Sequence, residues 1–159
     1  MKVAYVNPFV QGAQRVFNSL CQEAPALGRV FVKTAPYTTS PVTVSISIIG
    51  AFNGEVVYNM HEPTGCYIAS KMMHGMQTSM ADPMSQSAVA ELANIISGNV
   101  ATIFSGKGIL IDISPPSFRL NATCTDFPMA ANVPKVVCVP LHFQNGSVFE
   151  IDVLIPISL

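Results

Sequence analysis

Hydrophobic positions recur with a helical period in three segments, and each segment opens on a proline. Asn7-Pro8, Glu62-Pro63 and Asp82-Pro83 place proline directly after a residue of the capping type. Proline at the first helical position wastes no hydrogen bond, and the residue before it can accept from the free N–H groups. The pattern predicts helix 1 from Pro8 to Leu20, helix 2 from about Pro63 to His74 with Gly75 after it, and helix 3 from about Pro83 to Ser105 with Gly106 after it.

Outside these helices the apolar residues follow the period of β-strands. Six runs have this character, and they cover residues 29–34, 42–52, 55–60, 109–114, 135–143 and 147–155. The dipeptides Asn53-Gly54 and Asn145-Gly146 separate adjacent runs, and Asn-Gly between β-rich runs is a strong hairpin signal. We therefore predict two β-hairpins, one before helix 2 and one at the end of the chain.

The two halves of the chain repeat this arrangement. Residues 28–36 and 108–116 each place a strand between a glycine and a proline, and each follows a helix and precedes a hairpin. This repetition predicts a duplicated helix–strand–hairpin unit, with helix 2 inserted between the copies. We expect one α+β domain over residues 1–159, with a mostly antiparallel or mixed sheet, pseudo-twofold symmetry and the long helix 3 packed on the sheet.

The composition is poor in charge. Of the 159 residues, 50% are hydrophobic and 11% are charged, and the formal net charge is −1. No basic or acidic run is present, which argues against a nucleic-acid surface or a patch for anionic membranes. A composition so poor in charge suggests that a partner protein or a second copy of the chain covers part of the protein surface.

The cysteines and histidines give no sign of a metal or redox motif. The four cysteines are scattered without a CxxC pair, and no three-histidine or cysteine–histidine spacing fits a known site. We expect reduced thiols in a cytoplasmic protein, with no signal peptide and no transmembrane span. The residues concerned are Cys21, Cys66, Cys124, Cys138, His61, His74 and His142.

Helix 3 has an unusual outer face. Its single charged residue between Ser85 and Ser105 is Glu91. At about 100° per residue, the large apolar side chains gather on one side. The opposite side carries a stripe of small or polar residues, namely Ser87, Glu91, Asn94 and Gly98. From this pattern two interpretations stay open: an exposed Glu and Asn without a function, or a docking surface whose Glu–Asn pair enters a partner's active site.

The spacing of this stripe resembles a family signature. Ser87, Glu91 four residues later, Asn94 three after that and Pro116 further on are similar to the signature of the CheC/CheX/FliY chemotaxis phosphatases. The strings "VNPF", "MMHGM" and "ELANIISGN" also resemble this family. The signature occurs once, as in the CheX branch, because helix 1 contains no acidic residue between Phe9 and Leu20.

The resemblance implies hydrolysis of the aspartyl phosphate on a CheY-like receiver domain. It implies that Asn94 and Glu91 are catalytic: Asn94 positions the attacking water, and Glu91 pairs with a lysine of the receiver. It also implies that Ser87 and Gly98 contact the partner and that Pro116 has a structural role. Mg²⁺ is expected in the receiver's active site and no cofactor in this chain, which is expected to be a homodimer. A non-catalytic receiver-binding adaptor and a structural dimerisation module are the alternatives.

Overall fold

A computed structural model describes residues 3–34, 36–121 and 135–156. Within these ranges the chain forms three helices: α1 (Val3–Cys21), α2 (Glu62–Met72) and α3 (Pro83–Ser105). The same ranges contain eight strands: β1 (Ala26–Leu27), β2 (Phe31–Thr34), β3 (Val42–Gly50), β4 (Gly54–Met60), β5 (Ile111–Ile113), β6 (Ser117–Leu120), β7 (Lys135–His142) and β8 (Val148–Leu154). The six predicted strands are confirmed, whereas β1 and β6 were not predicted.

The strands form a single antiparallel sheet. Its order is β1-β7-β8-β4-β3-β5, with β2 paired to β7 beside β1 and β6 paired to β3 beside β5. Both predicted hairpins, β3–β4 and β7–β8, are present. At the second turn the N–H of Phe143 donates to the carbonyl of Ser147, and Gly146 adopts φ +86°. The predicted α+β class with an antiparallel sheet is confirmed.

The element order confirms the predicted duplication. A helix and four strands (α1, β1–β4) are followed by α2 and then by a second helix and four strands (α3, β5–β8). The hairpins meet in the middle of the sheet through β4 and β8. Each unit donates its first two strands to the hairpin of the other unit, since β1 and β2 pair with β7 while β5 and β6 pair with β3. The two units therefore stabilise each other.

The residue-level match between the halves was wrong. Equating Gly28–Pro36 with Gly108–Pro116 makes β2 the counterpart of β5. In the fold β5 is the first strand after its helix and corresponds to β1, whereas β2 corresponds to β6. The glycine and proline spacing misled the alignment because Gly28 follows β1 while Gly108 precedes β5.

Both sheet edges contain the same irregularity. Leu27 pairs with Leu141 and Phe31 pairs with Cys138. The chain therefore advances four residues from β1 to β2 while β7 advances only three. The step from β5 to β6 repeats this difference. An extra residue of this kind is a β-bulge, and bulges and edges are where proline is tolerated in a sheet. Pro116 lies in the second bulge, half-buried.

The hydrophobic core lies between the helices and one face of the sheet. Alternate residues of β3, β4, β7 and β8 point towards α1 and α3. Edge-on aromatic contacts add to this core, for example Phe9 with Phe104 at 6.1 Å and Phe17 with Phe149 at 4.9 Å between ring centroids. The core residues of α3 thus hold its opposite face towards solvent.

The predicted start of helix 1 was wrong. Within the described residues α1 is helical from Val3 onwards. Asn7 is therefore not its N-cap, and Pro8 lies inside the helix. Proline removes the hydrogen bond to the carbonyl of Ala4, four residues earlier. The additional turn is held by packing, because the ring of Tyr5 lies 5.4 Å from that of Phe52 between centroids.

Helix α2 also differs from the prediction at both ends. Glu62 is its first residue and His61 its N-cap, without a capping side-chain hydrogen bond. The helix ends at Met72, before the predicted His74, which adopts φ +57°. By contrast α3 has the predicted bounds and the predicted cap, Asp82.

The described cysteines are free thiols. Cys21 and Cys138 are buried and Cys66 is half-buried, while Cys124 lies outside the described residues. Among the described helices, α3 alone is long and apolar enough to cross a membrane by length and composition. Its buried side packs on the sheet, as in the core helix of a globular domain.

Candidate docking and catalytic site on helix α3

A capped N-terminus fixes the beginning of α3. The carboxylate of Asp82 accepts from the N–H groups of Met84 and Ser85, both at 3.3 Å, and from the Ser85 hydroxyl at 3.1 Å. Pro83 supplies the first helical residue. A helix that starts at a defined residue presents each later side chain in a defined direction, so the cap sets the register of the site.

The buried face of α3 prevents the helix from rotating. Leu92, Ile96 and Val100 are at most 1% exposed. The Ser97 hydroxyl lies 2.8 Å from the Tyr58 hydroxyl, and both groups are buried. Burial raises the pKa of Tyr58 and keeps the phenol neutral. A satisfied buried hydroxyl pair of this kind favours one rotation of the helix over its neighbours, because slippage would leave both groups unpaired.

The predicted stripe lies on the opposite side. Ser87 and Glu91 are exposed, while Asn94 and Gly98 are half-buried. These residues are three or four positions apart, which puts consecutive ones one turn apart on the same face. In the described part of the chain, the side chains of Ser87, Glu91 and Asn94 have no hydrogen-bond or ion-pair partner. A carboxylate and a carboxamide one turn apart are thus available to another molecule.

Gly98 leaves space on this face. A Cβ atom built at Gly98 would meet no atom within 4 Å. Glycine inside a helix costs about 1 kcal/mol relative to alanine, and no contact within the described residues accounts for that cost here. Because Gly98 has no side chain, another molecule could approach the helix backbone closely one turn after Asn94.

Pro116 lies outside α3, in the bulge at one sheet edge. It lies between β5 and β6, two strands that pack against α3. In the same bulge, Ser114 donates its N–H to the carbonyl of Ser47 at 3.0 Å, and its hydroxyl accepts from the Ser47 N–H at 2.9 Å. The bulge stays bonded to β3 although two consecutive prolines lack N–H donors. Pro116 therefore lies between two strands that contact α3.

A cleft of about 390 Å³ opens beside the stripe, between the three helices. It is lined by Arg15, Val16, Ser19, Leu20, Met72, Leu92, Ile95 and Asn99. Asn99 bonds to its own helix, since its amide donates to the carbonyl of Ile95 at 3.0 Å. Asn99 therefore differs from Asn94, whose amide makes no such bond.

The histidines do not join the cysteines in a possible metal group. Among the described residues, the group with suitable geometry consists of Cys138, Glu150 and Asp152, on the sheet face away from the helices. This group was not predicted from the sequence. The available signal was Glu150-x-Asp152 within a strand, because residues two apart share a face.

Comparison with known proteins identifies the family. Residues 42–138 match the family described as chemotaxis phosphatase CheX, and this range contains α3 and Pro116. The CheY-P phosphatase CheX of Thermotoga maritima is 30% identical in an alignment of 114 residues that covers 65% of this chain and 74% of that protein.

Solved structures share the fold over nearly the whole chain. A chemotaxis protein CheX from Desulfovibrio desulfuricans superposes with a TM-score of 0.80 at 19% identity, covering 97% of this chain and all (100%) of that one. CheX in a CheX–CheY–BeF3–Mg²⁺ complex from Borrelia burgdorferi gives 0.76 at 24% identity, with 97% and 99% covered. Together with the match over residues 42–138, these findings show that the chain belongs to the CheX family of chemotaxis phosphatases.

Proposed function

We propose that this protein dephosphorylates the aspartyl phosphate of a CheY-like response regulator and so ends a chemotaxis or two-component signal. The observation that carries the proposal is the Glu91–Asn94 pair on the face of a capped helix opposite its core, where neither side chain has a hydrogen-bond or ion-pair partner among the described residues. Membership of the CheX family and the named activity of the Thermotoga maritima relative support it.

The chemistry asks little of this chain beyond positioning. An acyl phosphate is already reactive, and placing a water in line with the breaking bond supplies much of the rate increase. The water oxygen attacks phosphorus, the bond from phosphorus to the aspartyl oxygen breaks, and the carboxylate leaves as inorganic phosphate forms. Mg²⁺ in the receiver neutralises charge on the phosphoryl oxygens; it belongs to the partner.

In this proposal Asn94 orients the water. Its carboxamide oxygen accepts a hydrogen bond from the water without placing a negative charge beside the phosphoryl group. A carboxylate at that position would repel the phosphoryl oxygens. Since the Asn94 amide makes no hydrogen bond within the described part of this chain, no internal bond must break before it acts.

Glu91 and the small residues of the stripe bind the receiver. We assign to Glu91 an ion pair with the lysine of the receiver's active site, which fixes the register of α3 against the partner. Ser87 lies one turn before Glu91 and contacts the receiver, and Gly98 admits its surface one turn after Asn94. Pro116 holds the strands beneath the helix.

A homodimer and a cytoplasmic location complete the proposal. One sheet edge is apolar and open: Val32 is 58% and Phe31 39% exposed, and β2 pairs only with β7 among the described strands. Unpaired edges of this kind readily pair with another chain, and a second copy is the partner that we infer. Free thiols at Cys21, Cys66 and Cys138 suit the reducing cytoplasm. Residues 1–159 as a single domain remain a prediction.

A decay assay tests the function. A CheY-like receiver is phosphorylated with a small phosphodonor in Mg²⁺, the donor is removed, and the loss of phosphate is followed with and without the protein. Faster, catalytic decay at substoichiometric protein is the expected result. Unchanged decay with measurable binding would instead identify a receiver-binding adaptor. Unchanged decay without binding would leave a structural dimerisation module.

A further inference from the structure

The sheet face away from the helices buries a polar cluster that the proposed phosphatase activity does not use. Cys138 on β7 lies directly opposite Asp152 on β8, and Glu150 is two residues from Asp152 on the same face. One ligand-type atom from each of these residues lies within 4.8 Å of the other two. Cys138 and Asp152 are fully buried, with 0% exposure, and Glu150 is half-buried.

One oxygen in this cluster is not satisfied. Asp152 Oδ2 accepts from the side-chain amide of Asn59 at 3.0 Å, and Asn59 Oδ1 in turn accepts from the Ser40 N–H at 3.1 Å. Asp152 Oδ1 is buried without a hydrogen-bond partner among the described residues. A buried carboxylate oxygen without a partner costs several kcal/mol in general, so the position favours a bound cation or proton.

We propose that Cys138, Glu150 and Asp152 bind one divalent metal ion of the zinc class. A thiolate with two carboxylates selects a thiol-accepting ion such as Zn²⁺ or Co²⁺ over Mg²⁺ or Ca²⁺. Zinc–oxygen and zinc–sulfur bonds of about 2.0 and 2.3 Å place tetrahedral ligand atoms roughly 3.3–3.5 Å apart. The half-buried side of Glu150 leaves the fourth position to water.

The charges of the cluster match a divalent ion. The thiolate and two carboxylates carry three negative charges, and Lys33 contributes one positive charge through an ion pair of 2.6 Å with Glu150. The remaining two negative charges equal the charge of the metal. Asn59 acts as the outer partner that orients a ligating carboxylate.

Burial favours the protonated forms of Cys138 and Asp152 when no metal is bound. Burial raises the pKa of the Cys138 thiol, with the neighbouring Asp152 carboxylate as a further cause. Burial, and then the adjacent Glu150, raises the pKa of Asp152 to about 7. Metal binding must displace these protons, so the affinity should rise with pH.

Cobalt provides the test because a thiolate bound to Co²⁺ gives a charge-transfer absorption in the near ultraviolet. We expect the full chain, stripped with EDTA and kept reduced, to bind one Co²⁺ with this absorption, and Zn²⁺ to displace it. Asp152→Asn and Cys138→Ser should each weaken binding by more than about tenfold, and Cys138→Ser should abolish the absorption. Cys66→Ser is the matched control, since Cys66 lies on α2 outside the cluster.

The wild-type measurement decides the proposal even if a core variant fails to fold. No stoichiometric binding, or binding without thiolate absorption, would overturn it. So would an absorption that persists in folded Cys138→Ser or disappears in Cys66→Ser. Because no receiver enters the experiment, its outcome is separate from that of the dephosphorylation assay.

Discussion

Gly12 and Gly98 occupy the interiors of α1 and α3, and a methyl group would meet opposite surroundings at the two positions. At Gly12 a Cβ atom would lie 2.9 Å from Val100 Cγ2 and 3.4 Å from the carbonyl oxygen of Ile96. At Gly98 it would meet nothing within 4 Å. Gly12 therefore serves the packing of α1 against α3, whereas Gly98 serves no packing within the described residues.

Gly98→Ala should make the protein more stable and less active. The gain in the free energy of unfolding is up to about 1 kcal/mol, from the helix propensity of alanine. The added methyl group obstructs the approach of the receiver, so dephosphorylation should slow at low receiver concentration. Urea unfolding and the decay assay measure the two effects.

Gly12→Ala is the control for this substitution. The same change should destabilise the protein by about 1–2 kcal/mol, because Val100 is β-branched and has little rotamer freedom in a helix. A Gly98→Ala protein with unchanged phosphatase kinetics would show that the gap is not used for docking.

Asn94→Ala should abolish most of the stimulation of receiver dephosphorylation. Loss of one oriented group in the transition state typically slows a reaction about 10²–10³-fold. Stability should change by less than about 0.5 kcal/mol, because the amide makes no internal bond within the described residues. Single-turnover decay at saturating protein measures the chemical step.

Asn99→Ala provides the matched control on the same helix. Its amide bonds to the carbonyl of Ile95 and not to a partner, so the decay rate should remain within about twofold of wild type. Similar losses in both variants would point to a general disturbance of α3, and full activity in Asn94→Ala would remove Asn94 from the catalytic role.

The sequence predicted helix α3 better than the sheet beneath it. The bounds of α3, its Asp82 cap and the position of its stripe opposite the buried face follow from local rules of capping and periodicity, and all three are confirmed. The roles of Glu91 and Asn94 stay a prediction. Strands β1 and β6 were missed because no strand-like run extends beyond their two and four residues. Strands β2 and β5 are as short, but each lies within a six-residue run of strand character, at residues 29–34 and 109–114.

The buried Cys138–Asp152 pair depends on a register that turn residues do not determine. A two-residue loop at Asn145-Gly146 would pair Cys138 with Val153. The longer loop closed by Phe143 and Ser147 moves the register by one residue, and Cys138 faces Asp152. A shift of one residue exchanges the two faces of a strand, so the cluster emerges only from the folded hairpin.

Glu91→Gln should weaken productive docking while sparing the chemical step. The change keeps the shape of the side chain and removes the charge that pairs with the receiver's lysine. A loss of about 1.4 kcal/mol would raise the receiver concentration for half-maximal rate roughly tenfold. The rate at saturating receiver should change little. The rate of the variant should also depend less on salt concentration than the wild-type rate does.

Glu62→Gln controls for the loss of one surface carboxylate. Glu62 is exposed at the start of α2, so its variant should keep the wild-type dependence on receiver and salt. An unchanged half-maximal concentration in Glu91→Gln would contradict the ion pair. A large fall in the rate at saturation would instead give Glu91 a role in the chemistry.

The stability of the metal-free protein should decrease between about pH 4 and pH 7. Burial and the neighbouring Glu150 raise the pKa of Asp152 from 3.8 to about 7, against the opposing effect of Lys33. In this window the folded state binds more protons than the unfolded state, so the contribution of Asp152 falls as the pH rises. Its slope is at most about 1.4 kcal/mol per pH unit.

Asp152→Asn isolates this contribution, because asparagine mimics the neutral carboxyl. We expect urea unfolding in EDTA to give a flatter stability profile for the variant between pH 4 and pH 7 than for wild type. The free energy of unfolding of the variant should therefore rise relative to that of wild type as the pH rises. Asp112→Asn, at an exposed position on β5, should keep the wild-type slope. Parallel profiles for wild type and Asp152→Asn would mean that Asp152 already ionises near pH 4 in the fold, with Lys33 offsetting the cost of its burial.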